Sequence, residues 1–335
     1  MLKSVLDSYD LASMQALVNF WLAKGVNLAL AEPLLAYCVA AMDHIRSTMH
    51  HDGWHLTLSR TLLDNSSRSL AYAETTTLSA FTQQFCDVNI RWETLGIFLI
   101  AVVRATFDVS FFPLLYTTES RRQQLRQSAT RLSTCVLQIC LSLDHPNDLQ
   151  FVFHYEAFII TTYVNGDQSK SKIPCPHPSF AADANASLGL RSWRSLGDVI
   201  ASAFALGYHE DAHKPGVPSF LVELRKTAVA RIYSADKNVA IFLGRPPRMS
   251  KRTSCFQIPS CPRASKNSLS AHEDDYAITD WHSDSEICYK AESRWSALCA
   301  LIKEDILEIM LGMDRSHAAR AARSVLKFFP SYYNC

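Results

Sequence analysis

No apolar run in this 335-residue chain is long enough to cross a bilayer. The most apolar windows are 26–42, broken by Glu32-Pro33, and 95–103, only nine residues, against the roughly 20 a spanning helix needs. Asp7 and Asp10 interrupt what would be the apolar region of a secretory signal, so the expectation is an intracellular protein. Its 10 glycines form no Gly-x-Gly-x-x-Gly, no Gly-x-Ser-x-Gly and no P-loop, which removes the usual signs of dinucleotide, serine-hydrolase and nucleotide chemistry. There is no Cys-x-x-Cys pair either. The 10 cysteines, at 38, 86, 135, 140, 175, 255, 261, 288, 299 and 335, are scattered like reduced thiols lining helix faces rather than a disulfide framework. Charge of one sign is missing too: 33 basic against 32 acidic residues, net +1, gives no global argument for nucleic-acid or membrane binding.

What is present is helical periodicity. Met14, Leu17, Val18, Trp21 and Leu22 fall on one face, as do Leu34, Leu35, Cys38, Val39 and Met42, with Pro33 suited to a first turn. Leu95, Phe98, Leu99, Val102 and Val103 make a third face. Leu125, Ala129, Leu132, Val136, Ile139 and Leu143 alternate four and three apart, a spacing shared by a coiled-coil seam and a buried bundle helix; at under three heptads the bundle helix is the better fit. A shorter apolar helix, 151–164, precedes Asn165-Gly166.

Three prolines at 174, 176 and 178 predict a loop over about 167–187, and a segment rich in Ser, Pro and Lys predicts another over 248–275. Between them, Trp193, Leu196, Ile200 and Phe204 share a helix face that Gly207 ends. Leu221, Leu224, Ala228, Ile232, Ala235, Val239 and Phe242 share the next, which can start at Pro218 and stop at Gly244. The tail resumes helix with Trp295, Leu298, Cys299, Ile302 and Ile306, then a last helix capped by Asp314. The predicted fold is all-α, a multi-helix bundle of packed helical hairpins with long irregular loops near 167–187 and 248–275. Its parts are one helical domain over 1–335: an N-terminal half 1–166, the 167–187 loop, a motif region 188–259 and C-terminal helices 276–330.

Charge is locally uneven. Residues 219–252 hold eight basic side chains against Glu223 and Asp236, net +6, while 272–292 hold seven acids against Lys290, net −6. These are solvated faces or, in a sharper reading, the acidic segment folds near the basic helix and partly neutralises it. The run His209-Glu210-Asp211-Ala212-His213 formally matches His-Glu-x-x-His, in which two histidines one helical turn apart hold Zn²⁺. Gly207 before it and Lys214-Pro215-Gly216 after it place the run in a turn, so neither metal ligands nor catalytic residues are assigned. Cys255, Cys261, His272 and His282, and the cluster His50, His51 and His55, likewise match no compact zinc module.

One segment resembles a known family. Trp193-Arg194, Leu206-Gly207-Tyr208-His209-Glu210-Asp211, Glu223-Leu224-Arg225-Lys226, Tyr233, Asp236-Lys237, Leu243-Gly244-Arg245-Pro246-Pro247 and Ile258-Pro259 follow one another in order. They are similar to the Trp-Arg helix, Leu-Gly-Leu-His turn, Glu-Leu-Arg-Arg helix and Gly-Arg-Pro loop of the fungal-specific transcription factor domain, the regulatory middle homology region of fungal zinc-cluster regulators. Thr227 and Ala228 to Ala230 depart from it, where the family often has a third basic residue and an aromatic. The resemblance implies a nuclear regulator of a metabolic gene set, secondary metabolism included, with no reaction and no cofactor. Zinc would enter only with a DNA-binding cluster upstream. Implied partners are other transcription regulators or co-regulators, a small-molecule effector and a second copy of the chain, with DNA contacted only indirectly and no membrane. The positions carrying it are Trp193, Arg194, His209, Asp211, Glu223, Arg225, Asp236, Gly244 and Arg245, expected to be structural: Glu223 and Arg225 as helix-surface ionic partners, Gly244 as a cap, Arg245 as a loop anchor. Two alternatives stand beside it: a non-DNA-binding protein that titrates a full-length regulator, and a metal-dependent hydrolase built on His209 and His213.

Overall fold

The structure, a computed structural model, describes residues 2–50, 52–171, 178–211, 213–260 and 289–310. Among these it is helical throughout, with no sheet; the one strand-like feature is an isolated bridge between Phe112 and Tyr116. The chain is therefore all-α. The first helices are α1 (Leu2–Ser8), α2 (Leu11–Leu22), α3 (Glu32–Ala40), α4 (Met42–Thr48), α5 (Trp54–Ser66) and α6 (Leu78–Thr82). After them come α7 (Trp92–Asp108), α8 (Glu119–Ser142), α9 (Asp148–Ser171), α10 (Pro178–Ala205), α11 (Ser219–Leu243) and α12 (Tyr289–Met310). The chain divides into two compact units, one of residues 1–188, 201–206 and 214–220, the other of 189–200, 207–213 and 221–335.

The first unit is organised by α7. Every residue from Trp92 to Val103 is buried, the signature of a helix apolar all round rather than on one stripe. Helices α2, α3, α5, α8 and α9 pack against it. Gly96 lets α9 close in, since a Cβ there would fall 2.3 Å from the Phe153 ring. Leu125, Ala129, Leu132 and Val136 of α8 are buried, so its alternating spacing serves a bundle helix packed on α7. Helix starts are chemically marked: Asp10 accepts the Ser13 amide at 2.9 Å, and Thr118 accepts that of Arg121 at 3.3 Å. The buried Glu156 carboxylate accepts the Leu30 and Ala31 amides just ahead of α3. The buried Arg91–Glu93 pair, 3.0 Å apart, sits at the entry to α7, with Arg91 also donating to the Ser66 carbonyl.

Of the loop expected over 167–187, residues 167–171 and 178–187 are helical, and 172–177 lie outside the described residues. Helix α9 continues through Asn165-Gly166 to Ser171, and α10 begins at Pro178. Proline is excluded from a helix interior but suits its first turn, where no amide hydrogen is needed, so Pro178 opens a helix instead of extending the break. Gly166 weakens a helix by only about 1 kcal/mol, too little to stop one.

Several aromatic assignments also change. On α10 the buried residues are Leu196, Val199, Ile200 and Ala203, whereas Phe204 is exposed. On α11, Leu221, Leu224, Ala228 and Ile232 are buried, but Phe242, in the last turn, is 79% exposed. Trp295 and Ile306 of α12 are exposed as well, and Ala297, Leu298, Ala300, Glu304 and Leu307 form its buried face. Apolar identity at helical spacing put these residues on the right helices; the buried arc is displaced from the apolar one and takes in polar residues, Asp236 and Lys237 on α11 and Glu304 on α12 among them. Helix α11 starts at Ser219, directly after Pro218. The predicted Asp314 cap, the 261–275 part of the second loop and the acidic residues 272–288 lie outside the described residues.

Candidate functional site

The second unit carries a dense polar cluster built around the segment Arg248–Arg252, a strap laid over helix surfaces. The strap begins where α11 ends. Gly244 takes φ +61°, its amide donates to the Ile241 carbonyl, and the Arg245 amide donates to the Ala240 carbonyl at 3.0 Å. That pair of bonds is the Schellman closure, for which glycine is favoured because a Cβ is strained at positive φ. The chain then turns back toward the helix it has just left.

Two buried carboxylates hold the strap. Asp236 of α11, 2% exposed, accepts the Arg248 amide at 3.0 Å and the Met249 amide at 2.9 Å. Glu304 of α12, equally buried, accepts the Ser250 hydroxyl at 2.9 Å and the Lys251 amide at 3.1 Å. Lys237 stands between them, fully buried, 3.2 Å from Asp236 and 3.5 Å from Glu304, and it donates to the Met249 carbonyl. Tyr233 donates its hydroxyl to Glu304. Burial first, then that bond and the neighbouring carboxylates, push the Tyr233 phenol well above its ordinary value, so it stays a donor. A buried charge is tolerable only when paired and hydrogen-bonded, and each charge here is.

The strap's outer edge is tied by ion pairs. Lys251 pairs with Asp305, and Arg252 pairs with Glu308 at 2.9 Å. Arg248 reaches α10: its guanidinium lies 3.6 Å from the Trp193 ring centre and donates to the Trp193 carbonyl at 2.8 Å. Gly197 makes room, because a Cβ there would come within 3.1 Å of that guanidinium. Burial draws the Arg248 pKa below its ordinary value, opposed by Asp236 and Asp198.

Compared with family models, curated proteins and solved structures, the chain matches none.

The resembling positions divide accordingly. Trp193, Asp236 and Gly244 belong to the strap's seating. Arg194 and Arg245 are exposed, and the guanidinium that anchors the loop is Arg248's, three residues beyond Arg245. Glu223 pairs with Lys226 at 3.3 Å and accepts the Ser260 amide and hydroxyl, while Arg225 lies over the Tyr208 ring at 5.6 Å. His209 contributes its carbonyl, which accepts the Cys255 amide at 2.8 Å. Asp211 is exposed and accepts the His213 amide and the Gln257 side chain; those two bonds lower its pKa.

His209 lies in the turn that Gly207 enters at φ +73°, and neither it nor His213 is in a helix, so the two histidines are not stacked one helical turn apart. Among the described residues no group of three His, Cys, Asp or Glu side chains is arranged to hold a metal ion. No described helix is long and apolar enough to cross a membrane. A cleft of about 170 Å³ in the first unit, lined in part by Asn65, Gln84 and Arg91, is below the 300–1,000 Å³ of ordinary ligand sites. Three of its polar groups are already engaged with protein: Asn65 with the Val88 and Ile90 carbonyls, Gln84 with Ala71, and Arg91 with Glu93.

Sequence reasoning missed Arg248, Lys237 as a buried cation, Glu304 and Gly197. One signal was available: a glycine inside a helix lowers stability by about 1 kcal/mol against alanine, so Gly197 marks a close approach. The basic excess of 219–252 is met by α12 through Glu304, Asp305 and Glu308; of the 272–292 segment expected to meet it, only 289–292 is described.

Proposed function

We propose that the chain is a regulatory domain of transcription, similar to that of fungal zinc-cluster regulators, acting in the nucleus on a metabolic gene set. The observation that carries the reading is the strap. Residues that follow the family's order in sequence, Trp193, Asp236 and Gly244 among them, take part in one closure over Arg248–Arg252. A polar closure of this kind has two states, seated and lifted, and a partner or effector that prefers one shifts the balance by its differential affinity. With no paired cysteines in its sequence, the chain meets DNA through a partner in this reading.

Tethering the chain to a heterologous DNA-binding domain in a fungal reporter strain tests it. A change in reporter transcription against the untethered control is expected. An unchanged reporter at matched protein level and confirmed nuclear presence would remove the proposal.

A further inference from the structure

Beyond the strap's Lys251-Arg252 come Thr253 and Ser254, so the Ser254 hydroxyl has basic residues at its third and second upstream positions. Ser254 is 8% exposed, and its hydroxyl oxygen is buried with no hydrogen-bond partner. An unsatisfied buried hydroxyl weakens the closed state, where alanine would not. The next residue, Cys255, is held by a hydrogen bond from its amide to the His209 carbonyl at 2.8 Å, so the chain on both sides of the buried Ser254 is fixed while the strap is seated.

We propose that Ser254 is a phosphoacceptor for a basophilic protein kinase, reachable only when the strap lifts from α12. Such kinases select substrates by charge pattern, reading basic side chains just upstream of the acceptor. Here those side chains, Lys251 and Arg252, are the ones held by Asp305 and Glu308. Kinase and α12 therefore compete for the same two cations, and seating the strap masks the site twice over. In the transfer the Ser254 oxygen attacks the γ-phosphorus of ATP and a new O–P bond forms. The bond from that phosphorus to the β,γ-bridging oxygen breaks, ADP departs, and the hydroxyl proton passes to the kinase's catalytic carboxylate. The product carries a charge of about −1.5 to −2. A pocket that offers the neutral hydroxyl no hydrogen bond cannot take back a dianion, and the α12 face opposite the strap already presents Glu304, Asp305 and Glu308. Phosphorylation holds the strap open.

The test uses the full chain, ATP and the catalytic subunit of a kinase that prefers basic residues two and three positions upstream, with sites mapped by mass spectrometry. Phosphate is expected on Ser254 and absent there in Ser254→Ala. The double variant Asp305→Asn/Glu308→Gln frees the strap without touching the kinase's determinants. It is expected to raise the initial rate at Ser254 about three- to tenfold, the range for losing two partly exposed ion pairs. A rate unchanged by the double variant, or no phosphate on Ser254 in either protein, would overturn the proposal. After phosphorylation, hydrogen exchange in 248–256 should speed up; unaltered protection would overturn the latch.

Discussion

The two units answer the same problem, fixing helices against one another, by opposite means. In the first, α7 is surrounded by apolar side chains over three turns, and the buried Arg91–Glu93 pair sits at the helix entrance rather than in the packed middle. In the second, the contacts between α11, α12 and the strap run through Asp236, Lys237, Glu304 and Tyr233, all buried. Apolar burial is non-directional and tolerates small shifts, since it scales with area removed from water. A buried charge network has few satisfactory arrangements, because each group left unpaired is penalised. The first unit thus behaves as a scaffold, and the second has the ingredients of a two-position device.

Removing Lys237 should break the contrast most sharply. Lys237→Met leaves Asp236 and Glu304 buried beside each other without the cation between them, which costs about 3–5 kcal/mol. Hydrogen exchange resolved by segment is the measurement, because two units need not unfold together. Protection across 221–243 should collapse while 92–108 keeps its own. Adding Glu304→Gln should recover part of the loss by removing one of the stranded charges. Equal loss in both segments would show that the units are not separately held.

Gly96→Ala probes the apolar unit in the same way. The added methyl would meet the Phe153 ring at 2.3–2.6 Å, and that ring is fully buried and cannot swing away. Overpacking of this kind destabilises by about 1–3 kcal/mol, set against a gain of up to about 1 kcal/mol from helix propensity. A net loss confined to 92–108 is expected; a stabilised protein would mean that α9 can move off α7.

Arg248→Lys is milder and sharpens what the strap's seating requires. Charge is retained, but a lysine cannot lie flat on Trp193 while donating to its carbonyl. The loss expected is about 1 kcal/mol, read as faster exchange or proteolysis within 248–256 with the helices unaffected.

The helices were legible because local spacing determines them. Met14 to Trp21, Leu34 to Val39 and Leu95 to Val103 show their buried faces to anyone who counts by threes and fours, although Met42, expected on the second of these faces, begins the next helix. Where the reading failed, the deciding partner was distant or the rule was one-sided. Prolines at 174–178 were allowed to break too much, though Pro178 suits a helix start. Phe204, Phe242 and Trp295 were placed inwards because apolar residues usually are, yet surfaces keep many of them. The strap shows the same limit. Gly244 and its turn are local and could be read; the bonds from Arg248 to Trp193 and from Tyr233 to Glu304 join residues 55 and 71 positions apart, and no periodicity reports such pairs.

The smallest effect returns to the apolar unit, at the start of α2. Asp10 accepts the Ser13 amide and hydroxyl, and these bonds, the hydroxyl first, hold its carboxyl below the ordinary carboxylate pKa. A depressed folded-state value means the cap stabilises above the unfolded pKa and loses that contribution as pH falls through the folded one. At pH 7, Asp10→Ala should therefore destabilise by about 0.5–1 kcal/mol, the low end of the capping range because the residue is exposed. The gap should narrow as pH drops below about 4, while Asp10→Asn, which keeps an acceptor oxygen and does not titrate, stays close to wild type at both. Thermal unfolding of the three proteins at pH 7 and pH 3 measures this. A gap that does not change with pH would place the cap's contribution in its geometry alone. The first unit would then carry no titratable stabilisation at this helix start, and the contrast with the charged second unit would widen.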